Sequence, residues 1–317
     1  MTDGLHEPVL AQEALQALQV TPGDTVVDAT IGGAGHFARL LAALGEGGTI
    51  IGIDADPEAV LRARVAYADD RRPERPVAHL VNDNFRNLSR ILERLGVGSV
   101  DAILLDLGWS GYQLVGTRGF SFAEADQPLL MTYGTSGETA ADIVNSATET
   151  ELADLLHSYG EERFARPIAR AIVAARAKER ILTTGALIAA IALGTPRWYQ
   201  ERRIHPATKT FQALRIATND ELGALREGLA AALAALAPGG RLAVISFHSI
   251  EDRIVKHTLR EAQESERGSL VPKKPIVPTR AEVLRNRRAR SAKLRVFHRS
   301  GALCAPHTQG TPLLSYA

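Results

Sequence analysis

Cysteine is all but missing from this sequence: its 317 residues include one, Cys304. A lone thiol closes no internal disulfide and builds no cysteine-rich zinc site, so the expected compartment is a reducing one, the cytoplasm. Long apolar runs are missing as well. No uninterrupted stretch reaches the ~18 residues that a membrane span needs, and residues 1–20 place no basic segment ahead of an apolar one. Neither secretion nor a membrane partner is expected. The nine histidines show no HxxxH spacing and none pairs with two cysteines, so no metal is expected either. What is present is ordinary for a folded chain, 45% hydrophobic and 23% charged, which excludes disordered, collagen-like and disulfide-framework classes. The length suits one large α/β domain, or such a domain with a second lobe inserted.

Excess charge of one sign is also absent, with a net charge of +1, but the balance conceals two basic segments. Fourteen Lys or Arg face four Glu between Arg253 and Arg299, and ten basic residues face four acidic ones between Glu161 and Lys209. The remainder carries −15. Basic segments on an acidic body point to a polyanion partner for those segments; a solvated, salt-bridged surface is the alternative. Arg163, Arg166 and Arg170 recur at helical spacing opposite an apolar stripe of Phe164, Ile168 and Ile172. They are expected to meet phosphate, as are Lys273, Lys274, Arg287, Arg288 and Arg290.

Residues 25–30 form a short β-branched run that ends in Ile31-Gly32-Gly33-Ala34-Gly35-His36, and residues 37–41 then read as a helix. A second strand, 49–53, closes on Asp54 before a helix that opens near Pro57. Further strands are expected at 77–81, 100–105 and 241–246, the last after the turn Pro238-Gly239-Gly240. Strands separated by helices predict a Rossmann-like, doubly wound, mostly parallel sheet. The alternation stops at 119–207, where 139–145, 149–159, 162–178 and 184–192 read as helices. An all-α domain is therefore inserted between a first part of the α/β domain, 1–118, and a second part, 208–264. One long helix over 208–236 leads into the last strand, and residues 265–317, rich in Arg, Lys and Pro, read as an extended basic arm.

The glycine turn after the first strand is where such a sheet binds its ligand. Asp54, 22 residues after Gly32, is placed to accept hydrogen bonds from both hydroxyls of an adenosine ribose. Nicotinamide dinucleotides and S-adenosylmethionine (SAM) share that ribose. Asp28 separates them: a carboxylate beside the glycines repels a pyrophosphate but suits the ammonium and sulfonium of SAM. Gly32 and Gly35 also depart from the dinucleotide spacing GxGxxG. Asp28 as a turn cap and His36 as a helix-start residue are the structural alternatives.

The fourth strand runs into Asp106-Leu107-Gly108-Trp109-Ser110-Gly111-Tyr112-Gln113 at the same edge. Methylation of an exocyclic amino group needs its lone pair turned toward the methyl carbon and a group to take the proton, and Asp106 is the candidate acceptor. Trp109 or Tyr112 either stacks on an unpaired base or plugs the core. Ser246 and His248, at the end of the last strand, add polar groups to the rim. With Asp252 they mimic a hydrolase triad, but they sit too close in sequence for that geometry.

Together these stretches resemble the MraW (RsmH) family of SAM-dependent methyltransferases, which modify a cytidine N4 in small-subunit ribosomal RNA. The resemblance extends over most of the chain. It is carried by His6-Glu7-Pro8-Val9-Leu10, Asp28 to His36, Gly52-Ile53-Asp54-Ala55-Asp56-Pro57, Asn84-Phe85, Leu105-Asp106-Leu107-Gly108, Glu161-Glu162-Arg163-Phe164-Ala165, His205-Pro206-Ala207-Thr208, Phe211-Gln212-Ala213-Leu214-Arg215, Ser246-Phe247-His248-Ser249 and Arg290-Ser291-Ala292-Lys293-Leu294-Arg295. It implies that Ala34, Gly35 and His36 hold the methionine end of SAM, Asp54 the ribose and Phe85 the adenine, with Asp106 and Gln113 completing the pocket. It also implies 16S ribosomal RNA, within the small subunit, as partner, with the helical insertion assisting. Trp109, Tyr112, Arg163, Arg170, His205, Ser246, His248 and Lys293 are the expected substrate contacts. Two stretches depart from the family pattern. Trp109-Ser110-Gly111-Tyr112 stands where Val-Ser-Ser-Pro is usual, and Leu129-Leu130-Met131-Thr132-Tyr133 replaces Leu-Asp-Met-Arg-Met, so an acid and an arginine are missing. The other readings are an amino-methyltransferase of another nucleic acid, an RNA-binding assembly protein with a relic SAM site, and an NAD-dependent oxidoreductase.

Overall fold

Thr25, Val26 and Val27 favour extended backbone because branching at Cβ restricts their rotamers elsewhere, and they open β1 (Thr25–Asp28). The computed structural model describes residues 7–67, 76–108, 117–122, 124–134 and 137–301. After a first helix, α1 (Ala11–Leu18), the chain alternates through β1, α2 (Gly35–Leu44), β2 (Thr49–Asp54), α3 (Pro57–Tyr67), β3 (Val77–Asn82), α4 (Leu88–Leu95) and β4 (Val100–Asp106). The sheet order is β3-β2-β1-β4-β5-β7-β6. β1 to β5 run parallel, with Asp28 opposite Gly52 of β2 and Leu104 of β4.

Both faces of the sheet are covered, as a parallel sheet requires. Val26, Ile50, Ala102, Leu104, Ala243 and Ile245 face one buried cluster with Leu18 of α1 and Phe37 and Leu40 of α2. Their sequence neighbours Val27, Ile51, Ile103, Leu105, Leu242 and Val244 face the other, with Ile91 of α4 and Leu229 from a later helix. Side chains alternate across a strand, so apolar residues at successive positions fill both layers at once.

Among the described residues, β4 is followed by α5 (Ala140–Ser146), α6 (Glu149–Gly160), α7 (Ala165–Arg176), α8 (Thr184–Leu193) and the short α9 (Arg197–Gln200). Capping boxes start the first two, Thr139 with Asp142 and Thr148 with Glu151. Ile143, Leu152, Leu156, Ile168, Ile172 and Leu187 build a separate core there. That core also takes Phe211 and Leu214 of α10 (Thr208–Asn219). The single helix expected over 208–236 is two. Asp220 adopts left-handed backbone (φ 45°) and separates α10 from α11 (Glu221–Ala235), so α10 packs on the helical unit while α11 packs on the sheet.

β5 (Leu236–Ser246) starts earlier than expected, running through Pro238-Gly239-Gly240 with a register shift opposite β4. α12 (Ser249–Glu264) follows. The expectation of an extended arm from residue 265 is overturned for the described residues. β6 (Gly268–Leu270), α13 (Arg280–Arg285), a 3₁₀ turn at Arg287–Ser291 and β7 (Lys293–Arg299) are ordered, and β7 pairs antiparallel with both β5 and β6. Leu294, Val296 and Phe297 are buried, and Arg295 between them is tolerated because Asp252 of α12 neutralises it at 2.7 Å.

Candidate active site

Three strands each deliver an aspartate to the carboxyl edge of the sheet: Asp28 from β1, Asp54 from β2 and Asp106 from β4. The strand order reverses between β1 and β4, and that reversal opens a crevice at this edge. Asp28 is fully buried. Its Oδ1 accepts the Thr30 N–H at 3.1 Å, whereas Oδ2 has no hydrogen-bond partner among the described residues. One oxygen therefore caps the turn and the other is open to a ligand. Burial pushes this carboxyl up to about 7, opposed by the Thr30 hydrogen bond and assisted by the charge of Asp54.

Asp54 Oδ2 accepts the Gly32 N–H at 2.7 Å and Oδ1 the Asp56 N–H at 2.8 Å, which ties the glycine turn to the end of β2. Burial raises it to about 6 despite those bonds. The Asp106 N–H donates to Thr30 Oγ1 at 2.7 Å. Asp106 Oδ2 lies 3.5 Å from His36 Nε2, while Oδ1 is buried with no hydrogen-bond partner among the described residues. Burial first, then the charges of Asp28 and Glu251, hold this carboxyl well above the usual range, with Arg288 opposing.

Ala34 caps α2 in left-handed backbone (φ 61°), and His36 is buried in the first turn of that helix. Gly35 is required by a close approach: a Cβ there would meet Pro8 at 2.9 Å. Pro8 is held in place from the other end of the chain. The Leu10 N–H donates to Glu282 Oε1 at 2.8 Å, Asn286 Nδ2 donates to the Glu7 carbonyl at 3.0 Å, and Arg285 pairs with Glu7 at 2.9 Å. Phe85, in a 3₁₀ turn after β3, packs its ring where Gly228 of α11 leaves room. Beside Asp54, a cavity of about 380 Å³ is lined by Ala55, Asn82, Asp83 and Asn84 from the sheet edge, and by Tyr133, Gly134 and Asn219 from the helical unit.

At the end of β5, Ser246 is buried and its Oγ reaches the Lys293 carbonyl at 3.5 Å. His248 caps α12. Its Nε2 lies 3.0 Å from Glu251 Oε1, and Glu251 Oε2 accepts the Phe247 N–H at 2.8 Å. Burial alone would raise Glu251, but the His248 hydrogen bond and charge, Arg215 and the Phe247 N–H together hold it below its ordinary value. Asp252 pairs with Lys293 and Arg295, so Ser246, His248 and Asp252 form no relay.

Glu221, His248 and Glu251 bring ligand atoms within 4.8 Å of one another, a grouping that histidine spacing did not reveal. Arg215 already pairs with Glu221 at 2.8 Å and the Tyr133 hydroxyl donates to it at 2.6 Å, so cationic and hydrogen-bonding partners are in place without a metal.

The remaining expected contacts are dispersed. Arg163 and Arg170 are exposed on the helical unit, Arg170 within 3.4 Å of Glu149, and His205 stacks on Phe122 at 4.5 Å. Among the described residues, no ion pair or hydrogen bond ties them to the acidic edge. Lys293 belongs to the Asp252 pair, 2.8 Å away. Trp109, Tyr112 and Gln113 lie outside the described residues. Three contributors went unread in the sequence: Thr30, two residues beyond Asp28; Glu251, a capping acid; and Arg288, expected at phosphate but half-buried and electrostatically coupled to Asp106.

Two buried carboxylate oxygens without protein donors, beside an aspartate at the end of β2, match the cationic, ribose-bearing SAM and oppose a pyrophosphate. The fold and this edge define a SAM-dependent methyltransferase. Residues 3–300 match the MraW methylase family. The ribosomal RNA small subunit methyltransferase H of Deinococcus radiodurans is 52% identical over 94% of this chain and 90% of its own length. The protein of the same description from Geobacter sulfurreducens is 47% identical over 92% and 97%. The chain belongs to the MraW methylase family.

Proposed function

We propose that this enzyme methylates the N4 amino group of a cytidine in 16S ribosomal RNA of the small subunit. The observation that carries the reading is Asp106: a half-buried carboxylate whose buried Oδ1 is unpartnered among the described residues, at the edge where the cofactor belongs, in a chain whose close relatives are named for the small-subunit RNA they methylate. SAM, when bound, supplies an electrophilic methyl group on a sulfonium. The open Asp28 Oδ2 suits its ammonium, and the N–H groups of the first turn of α2, around Gly35 and His36, suit its carboxylate. Asp54 keeps lone pairs for the ribose hydroxyls, and Phe85 with the adjoining cavity suits the adenine.

Asp106 Oδ1 accepts an N4–H of the target base, which aims the nitrogen lone pair away from the carboxylate and at the methyl carbon. With SAM bound, transfer of its methyl group to N4 would leave a surplus proton on that nitrogen, and Asp106, whose proton affinity is raised, would take it. The target base has to leave its stack to reach this edge. Gln113 completes the proposed cofactor pocket, and Trp109, Tyr112, Arg163, Arg170, His205, Ser246, His248 and Lys293 are the proposed base and strand contacts. Among the described residues no helix is long and apolar enough to cross a membrane, in keeping with work on ribosomal RNA in the cytoplasm. Incubation of labelled SAM with small subunits lacking N4 methylation, followed by nucleoside separation, tests the proposal; label outside cytidine overturns it.

A further inference from the structure

α9 carries an exposed tryptophan on a rigid mount. Trp198 is 52% exposed, although the two aromatic rings beside it are half-buried or buried. Phe164 meets Trp198 at 5.8 Å and Tyr199 at 4.9 Å, both edge to face, and the Arg163 guanidinium lies 5.2 Å from the Trp198 ring and 5.0 Å from that of Phe164. Arg202 covers Tyr199 at 5.0 Å. Beneath them, the Tyr199 hydroxyl donates at 2.7 Å to Glu162, a fully buried acid that also accepts the Phe164 N–H at 2.8 Å. Gln200 ties the far end of the turn to the Ala192 carbonyl at 2.8 Å. The buried acid thus fixes Tyr199 and the Phe164 backbone, the two residues whose rings meet the half-exposed indole.

We propose that Trp198, flanked by Arg163 and Arg202, is a stacking platform for an unpaired base of the substrate RNA other than the one methylated. The proposal rests on the ribosomal RNA reading above. Two further observations favour nucleic acid. Arg163, Arg202 and Arg203 have no carboxylate partner within ion-pair distance among the described residues, so their charge is available to phosphates, and arginine and tryptophan planes both stack on bases. The platform is also tethered to the reaction edge: Glu161, next to Glu162, accepts the Ser249 hydroxyl at 2.6 Å and pairs with Arg253 at 3.0 Å, where α12 begins beside His248. Three residue steps, at most about 11 Å of chain, lead from Glu161 to Phe164. A strand whose target base enters at Asp106 therefore has the platform within reach of neighbouring nucleotides.

The chain has two tryptophans, so the fluorescence that wild type has and Trp198→Phe lacks reports on Trp198, with Trp109 left in place. Single-stranded RNA covering the methylated region is expected to quench it, and Trp198→Ala to raise KM for small subunits roughly tenfold to a hundredfold, the range of one lost base stack. In that variant kcat and KM for SAM stay within about twofold, and Trp198→Tyr restores most of the loss. An unchanged KM in Trp198→Ala overturns the platform. So does a raised KM without quenching by protein-free RNA, which would assign Trp198 to a ribosomal protein. If wild-type enzyme transfers no methyl to subunits, the substrate reading fails separately, while quenching by RNA oligonucleotides still decides the platform.

Discussion

Burying an unpaired carboxylate is costly, and the acidic edge holds two that are incompletely satisfied. Asp106→Asn keeps the shape, removes the proton acceptor and lifts the penalty on charge. Methyl transfer is expected to fall by about 10²–10⁴ while the melting temperature holds or rises; a large drop in both would make Asp106 structural. Asp28 gives a pH test. Its folded-state value, about 7, lies above the ~3.9 of an unfolded aspartate, so its contribution to stability is complete below about pH 4 and is lost as pH rises through about 7. The stability of Asp28→Asn relative to wild type should therefore improve from pH 5 to pH 8, by up to a few kcal/mol. SAM affinity moves the opposite way in wild type, rising between about pH 5.5 and 7 as the carboxylate ionises, and calorimetric titration should find that rise reduced in Asp28→Asn. These three aspartates were legible in the sequence because each ends an apolar strand. Glu282 was not, since its partner Leu10 is 272 positions away.

Elements explain where the sequence reading succeeded and failed. β1, β2 and β4 announce themselves because both faces are covered, so apolar residues stand at successive positions ahead of each terminal aspartate. β7 was hidden: Lys293, Arg295 and Arg299 dress a buried strand in charge, and the neutralising Asp252 sits on another element. The break at Asp220 has neither glycine nor proline to mark it. An arm tolerates deletion and a sheet strand does not. Truncation after Glu266 would strip β7 from β5, expose its edge and open the core around Leu294 and Phe297. Loss of the cooperative thermal transition is expected; a truncated chain that melts like the full one would restore the arm. Glu282→Ala removes the acceptor of the Leu10 N–H, costing about 1–3 kcal/mol, and should weaken SAM binding by loosening Pro8 from Gly35, both readable by thermal shift with and without SAM.

At the scale of the whole molecule, an acidic sheet edge for a cation is joined to a helical unit with exposed arginines for a polyanion. If Z of Arg163, Arg166, Arg170, Arg202 and Arg203 meet phosphates, log affinity for single-stranded RNA should fall against log salt with a slope of about −0.7Z, and a slope near zero removes the phosphate contacts. Charge division in the sequence located this unit, but not its aromatic mount, which needs Phe164 and Trp198 brought together in space. The acidic edge is proposed to deliver a methyl group to a cytidine N4 of small-subunit RNA. The most direct test is labelled SAM with small subunits lacking that mark, using wild type and Asp106→Asn in parallel, followed by digestion to nucleosides. Label in N4-methylcytidine from wild type, with little from the variant, is the predicted result. Label in another nucleoside, or undiminished transfer by Asp106→Asn, would contradict the account.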